Sequence, residues 1–379
     1  MILFLLSFLL IYSGTHLYAF LKARAAFAFG TVTGIYLTAF MVLMIFAPFI
    51  VRLSERYGFE FAARLISYTG YIWLGLLFLF FSASLVFDIY SLLVYAGGLM
   101  LKRDLSGIDI PARLSFFISL FLAVIISFYG YFEAGNIVTE RIIIKTPKIP
   151  KEAGRLKIVQ ISDVHIGLII RGERLKRILE QVKNAGPDVL VATGDLVDGQ
   201  INNIGELAEL FKGIKPRFGK FAITGNHEFY AGLARALDFE RAAGFSVLRG
   251  QGLTVGDMLN IVGVDDPQGK AYGDFKDIPE RELLSGLPKG KFTLLLKHRP
   301  LVDKTAVGLF DLQLSGHAHK GQIFPFSLVT WLYYSVHAGY VNLSGSSNLY
   351  VSRGAGTAGP PIRFLSQPEV TVIELVHGE

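Results

Sequence analysis

Residues 155–167 read RLKIVQISDVHIG. The run LKIVQIS is apolar without a strict alternation of polar and apolar positions, which fits a strand covered on both faces. At its carboxyl end stand Asp163 and His165, separated by one valine. In open α/β sheets, ligands bind in the crevice outside the carboxyl ends of the strands. An acid and an imidazole at that position pose the question of what they bind.

The same pattern recurs downstream. DVLVATG is followed by Asp195, KFAITG by Asn226, His227 and Glu228, FTLLLK by His298, and DLQLSG by His317 and His319. LNIVGV is a further strand-like run, and 173–184, 204–213 and 231–243 carry helical patterns between the early strands. Strand and helix alternate at about 30-residue spacing, which predicts βαβ units and a largely buried sheet.

The residue types at these strand ends are those of a metal site. Imidazole nitrogens with carboxylate and amide oxygens suit Mn, Fe or Zn. Five of the 8 histidines of the chain fall in these turns. Each turn alone is weak evidence, because Asp and Asn are ordinary turn formers and Gly194 and Gly225 serve turns anyway. Their recurrence in order is what argues for a metal centre. The chain has no cysteine, so disulfides and thiolate ligands are excluded.

The rest of the sequence differs in kind. The 379 residues are 52% hydrophobic and only 18% charged, and the excess of apolar residues lies before residue 133. Four stretches, about 1–21, 29–51, 68–99 and 113–132, are each long enough to span a bilayer. The first lacks the basic start and the cleavage site of a signal peptide, so it reads as a retained span. Asp88 lies inside the third stretch, either as a functional acid in the membrane or just beyond a span ending near Phe87. The expected organisation is a transmembrane region over 1–132, a connector over 133–154 that includes the strand ERIIIK, and a catalytic domain over 155–379. Lys and Arg are nearly balanced between the two sets of loops, but 133–140 holds none. That places the second half outside the cytoplasm. The net charge of +6 is scattered, without a dense basic block, so nucleic acid is not expected as a partner.

DVH, GD, GNHE, a lone histidine after a strand, and GHAH occur here in an order that resembles the calcineurin-like metallophosphoesterases. RLKIVQISDVHIG and LYVSRGAG resemble the bacterial, membrane-associated branch of that family, and the likeness covers about 140–375. It implies an α/β domain, of α+β sandwich type, with two central mixed β-sheets flanked by helices, behind the four-helix transmembrane region. It also implies residence in a bacterial inner membrane and two divalent metal ions, Mn, Fe or Zn, with Mn favoured. Asp163, His165 and His319 would bind one, and Asn226, His298 and His317 the other. Asp195 would bridge them as a catalytic residue, and His227 would sit beside the phosphoryl group.

The chemistry is consistent with those roles. Two metals can share a hydroxide that attacks phosphorus, and metal binding lowers the pKa of water toward about 7. Asn226, being neutral, leaves the site cationic and attractive to an anion. His227 has a pKa range suited to a leaving alkoxide. Glu228 and Asp198 are candidates to orient histidine N–H groups, or are turn and cap residues. Lys320, in GHAHKGQ, is a solvated loop lysine or a contact to an anionic substrate.

The sequence therefore predicts a membrane-anchored phosphohydrolase acting on a phosphodiester or pyrophosphate of a lipid- or nucleotide-linked substrate, with the bilayer as its other partner. Its superfamily includes hydrolases of UDP-diacylglucosamine. Phosphomonoesters and wall polymers are further options. The competing reading is a membrane carrier or sensor with a regulatory phosphoesterase domain, and retention of every ligand weighs against it. FPFSLVTWLYYSVHAGY, 324–340, is either a core hairpin or an aromatic flap at the membrane surface.

Overall fold

The computed structural model describes residues 2–378. The chain divides into two compact units, Met1–Phe132 with Pro360–Ile362, and Glu133–Gly359 with Arg363–Glu379.

The first unit consists of long helices: α1 (Ile2–Phe27), α2 (Thr31–Arg56), α3 (Glu60–Leu101) and α4 (Ala112–Glu133). Among the described residues, three segments are long and apolar enough to cross a membrane, Thr31–Arg56, Glu60–Leu101 and Ser106–Glu133. That is three rather than the four expected. The stretch 1–21 forms most of α1, but Met1 lies outside the described residues and α1 also carries His16, Lys22 and Arg24. Some polar side chains in this unit pair with one another. Trp73 Nε1 donates to His16 Nε2 at 2.8 Å, and Asp88 is held by Lys22 and by the Tyr18 hydroxyl. Helix α3 runs unbroken through Asp88. Its 42 residues extend about 63 Å, roughly twice the hydrocarbon thickness of a bilayer.

The second unit is a sandwich of two mixed six-stranded sheets. Its strands are β1 (Val138–Thr146), β2 (Arg155–Ile161), β3 (Val189–Ala192), β4 (Lys220–Ala222), β5 (Ser246–Val247), β6 (Gln251–Val255), β7 (Leu259–Gly263), β8 (Phe292–Leu296), β9 (Leu312–Ser315), β10 (Gly339–Asn342), β11 (Asn348–Val351) and β12 (Glu369–His377). Its helices are α5 (Gly172–Ala185), α6 (Gly205–Lys212), α7 (Asn226–Ala231), α8 (Leu233–Ala242), α9 (Gly269–Tyr272), α10 (Glu280–Ser285) and α11 (Phe326–Tyr333).

One sheet has the order β1-β12-β2-β3-β4-β5 and the other β10-β11-β9-β8-β7-β6. β2 to β5 are parallel, as are β7, β8, β9 and β11. The strand in the expected connector is β1, and it pairs along its whole length with β12, an edge strand of the sheet rather than a tether.

The inward faces form one core. Ile158, Val189, Val191 and Phe221 of the first sheet meet Ile261, Leu294, Leu296, Leu312 and Leu314 of the second. The outward faces are buried as well: Val262 and Leu295 pack with Leu284 and Phe310. Burial on both faces explains the lack of polar alternation in these strands. The parallel strands also send their carboxyl ends toward one edge, and the chemistry collects there.

Candidate metal centre

Asp163 and His165 follow β2, Asp195 follows β3, Asn226 and His227 open α7 after β4, His298 follows β8, and His317 and His319 follow β9. Seven of them come together, and Asn226 stands between Gly225 and His227, both of which lie against Asp195. Asp163, His165 and His319 form one tight group of possible ligands, and Asp195, His298 and His317 form another. Asp195 also groups with His165 and His227, so it lies between the two sets.

The distances are specific. His165 Nε2 lies 3.1 Å from His319 Nε2, which is 3.3 Å from Asp163 Oδ1. On the other side His298 Nε2 lies 3.1 Å from His317 Nδ1 and 3.2 Å from Asp195 Oδ2. Two neutral imidazole nitrogens facing each other with lone pairs repel. Two nitrogens each about 2.1 Å from one cation at a right angle stand about 3 Å apart. The pairs therefore have the separation of ligands that share an ion.

The hydrogen-bond pattern leaves ligand atoms bare. His298 Nδ1 donates to Thr193 O at 2.8 Å, which fixes the tautomer and leaves Nε2 with its lone pair. Asp195 Oδ1 accepts the His227 N–H at 2.8 Å, leaving Oδ2 for the centre. Asn226 Oδ1 is buried and accepts no hydrogen bond within the protein. A buried acceptor without a donor is costly, and a cation relieves it. These features fit a pair of divalent ions.

Backbone shape and charge agree. Asp163, His165, Asp195, His317 and His319 all have positive φ, between 48° and 67°. Left-handed backbone at residues other than glycine is strained and concentrates at functional sites. Burial pushes His165 down to about 3, aided by the nearby His227, and pushes His317 down to about 4, aided by His298. Both are then neutral donors. Burial also disfavours charge on His298 and His227, but Asp195, joined by Asp198 at His227, outweighs it and raises both, a carboxylate pull that a cation at the His298 Nε2 lone pair would answer in place of a proton. Burial disfavours ionised Asp195 too, yet His298 and His227 keep it well below the carboxylate range. Two ionised, buried aspartates, Asp163 and Asp195, thus ask for positive charge.

The supporting residues divide unexpectedly. Asp198 Oδ1 receives His227 Nδ1 at 2.8 Å, the orienting contact expected of it. Glu228 touches no histidine N–H; it accepts the backbone N–H groups of Asp195, Val197 and Gly225 at 2.6–3.2 Å, pinning the two turns together. Gly316 serves space rather than a sharp exit from β9: its φ is ordinary, and a Cβ there would fall 1.9 Å from Ser162 Oγ and 2.1 Å from Asp163 Oδ2. Similarly, a Cβ on Gly225 would meet Asp195 Oδ1 at 2.2 Å.

Arg363 was not foreseen. It is fully buried, donates to the carbonyls of Gly356, Arg353, Gly354 and Ser366, and places Nη2 3.1 Å from His319 Nδ1. Ser366 Oγ meanwhile donates to His319 O at 2.6 Å. The 353–366 loop is thereby fastened behind His319, 44 residues earlier. Its only sequence signal is that the arginine stands in an otherwise apolar PPIRFL run.

Comparison with known proteins agrees with this geometry. Residues 156–321 match the family model for calcineurin-like phosphoesterases. The chain is 39% identical over 257 residues to an uncharacterized metallophosphoesterase of Aquifex aeolicus, covering 68% of this chain and 98% of the relative. It is 35% identical over 263 residues to the uncharacterized metallophosphoesterase YkuE of Bacillus subtilis, covering 65% and 89%. A transmembrane protein with metallophosphoesterase domain from Danio rerio is 30% identical over 297 residues, covering 73% and 67%. The chain belongs to the calcineurin-like metallophosphoesterases and is a metal-dependent phosphoester hydrolase. Its apolar helices and its transmembrane relatives mark it as a membrane protein.

Proposed function

We propose that this is a membrane-anchored phosphoesterase that cleaves a phosphodiester or pyrophosphate, with Asp163, His165 and His319 holding one divalent cation and Asn226, His298 and His317 a second. Asp195, which lies between the two groups, would contact both. The observation that carries the reading is the pair of 3.1 Å nitrogen–nitrogen approaches on either side of Asp195. Bound divalent cations supply positive charge for the phosphoryl oxygens and acidify water near neutral pH, and Mn suits the mixed nitrogen and oxygen ligands.

The protein's own groups do the rest. Asn226 contributes an oxygen without charge, so the cluster retains a net attraction for an anion. With His227 Nδ1 engaged by Asp198, Nε2 is the nitrogen left to hold a proton at the phosphoryl group and pass it to the leaving oxygen. The His227 side chain is 23% exposed, against 0–3% for His165, His298 and Asp195, so a substrate can reach it. A lipid- or nucleotide-linked substrate and an extracytoplasmic catalytic unit complete the proposal.

The test is hydrolysis of a chromogenic phosphodiester and a monoester with added Mn, before and after Asp195→Asn and His227→Ala. Metal-dependent turnover that both substitutions abolish supports the proposal. No metal-dependent turnover by the wild type, or full activity in both variants, refutes it. Monoester turnover alone refutes the diester assignment.

A further inference from the structure

The segment after the second histidine pair is built unlike the rest of the catalytic unit. It forms helix α11, and no residue of α11 is buried. Leu332 is 78% exposed, Tyr333 71% and Trp331 57%, with Phe326, Leu328 and Val329 also exposed. Apolar patches of this kind on a folded protein mark an interaction surface.

The helix is rooted in the metal centre at both ends. Before it, Gly321 lies so close to Ser327 that a Cβ there would stand 2.3 Å from its Cα. After it, Tyr334 is buried with its ring edge-on to His317, centroids 5.8 Å apart. Whatever α11 enters is therefore brought to the phosphoester site.

Three observations choose a lipid bilayer as the occupant. The chain carries three helices able to cross a membrane, so a bilayer is tethered to this unit at all times. The helix combines Trp and Tyr with Phe, Leu and Val, the composition of membrane interfaces. Between Asp311 and Glu369 the chain has no carboxylate, and Lys320 stands just before the helix, so no acidic side chain of this segment repels anionic headgroups.

We propose that α11 is an interfacial membrane helix that docks the metal centre at headgroup level, making the substrate a phosphoester carried by a membrane lipid. The substrate half of this inference rests on the phosphoesterase reading above; the docking half does not.

Trp73 and Trp331 are the 2 tryptophans of the chain, which permits a direct test. The full chain is reconstituted in phosphatidylcholine–phosphatidylglycerol nanodiscs with plain or brominated acyl chains. In the Trp73→Phe variant, Trp331 emission is expected to fall by roughly twofold or more in brominated discs and to resist iodide. The Trp331→Phe variant reads Trp73 in α3 as the embedded control. If Trp73 is quenched by bromine while Trp331 is quenched only by iodide, α11 lies in water and the proposal is overturned. If neither responds to bromine, the unit is not embedded and the proposal is overturned with it.

A second measurement addresses the substrate. In a Leu328→Ser, Trp331→Ser, Leu332→Ser variant, turnover of hexadecyl p-nitrophenyl phosphate in vesicles is expected to drop at least about tenfold. Turnover of soluble bis(p-nitrophenyl) phosphate should change by less than about twofold, because these side chains lie outside the metal cluster. Equal turnover of the anchored ester by variant and wild type overturns the inference even if the enzyme is active. A wild type inactive on the soluble ester overturns the phosphoesterase reading instead, and the quenching result still decides the docking.

Discussion

The metal centre and helix α11 depart from ordinary burial in opposite directions. Around the centre the fold buries groups that belong in water: Asp163, Asp195, His165, His298 and Arg363 are almost wholly enclosed. A few residues later α11 exposes groups that belong in a core. Most of a protein balances these tendencies internally, since buried charges find partners and apolar faces find each other. Here neither region does so with protein atoms alone. Bare ligand atoms and left-handed turns at the centre fit cations, and the uncovered apolar surface of α11 fits lipid.

The comparison breaks most severely if the centre does not need cations. Asp195→Asn, which removes the one carboxylate shared by both ligand groups, should weaken Mn binding by more than about 100-fold, the upper range for residues that merely orient a ligand. Isothermal titration measures it, and unchanged stoichiometry and affinity would separate the buried cluster from metal binding.

Arg363→Gln should weaken the same affinity by about 10- to 100-fold, because the loop behind His319 loses its clasp while every ligand stays. A variant that binds Mn like the wild type but melts lower would make Arg363 a purely structural residue.

Glu240 sharpens the comparison, as an acid whose buried carboxyl has no hydrogen-bond partner. Neither carboxyl oxygen accepts a hydrogen bond, and burial, reinforced by Glu228, pushes its pKa well above the carboxylate range. Its folded pKa is raised, so the protonated form is favoured in the fold. The associated stability is complete below the unfolded pKa of about 4.3 and drains away as pH rises toward the folded value. Glu240→Gln should therefore raise the melting temperature by about 2–4 °C per kcal/mol at pH 7–8, with little gain near pH 4. Scanning fluorimetry across pH shows whether the difference narrows in acid.

The smallest effect is expected at α11. Leu332→Ser in detergent should alter unfolding free energy by no more than about 0.5 kcal/mol, as for a surface site. A loss of about 2 kcal/mol or more, the scale of a core leucine, would show that protein covers α11 after all.

Much of the site was legible in the sequence because metal chemistry restricts residue types. Only oxygen and nitrogen donors at successive strand ends satisfy it, so Asp163, His165, Asp195, Asn226, His298, His317 and His319 stood out one by one. The strands from β2 to β4 and from β7 to β9 were equally legible, since burial on both faces leaves continuous apolar runs. The edge strands were harder. β10 and β5 are short and partly exposed, and β1 looked like a linker because its partner β12 lies more than 200 residues away. Arg363 escaped for a different reason, while Glu228, legible as either an orienter or a turn and cap residue, proves to be the latter. Most of their partners are backbone groups, which every residue has, so the sequence does not say which ones they hold.

By itself, then, the sequence marked the candidate donors, the alternation of strand and helix, and the existence of an apolar region before residue 133, because residue type and periodicity encode these locally. Only the tertiary structure decided which nitrogen faces which, as with His165 and His319, 154 residues apart. It alone decided that five of the candidate residues adopt left-handed backbone, and that 324–340 begins as an exposed helix rather than a core hairpin. An apolar run reads the same whether it will be covered by protein or left bare, since coverage depends on what the rest of the chain brings to it.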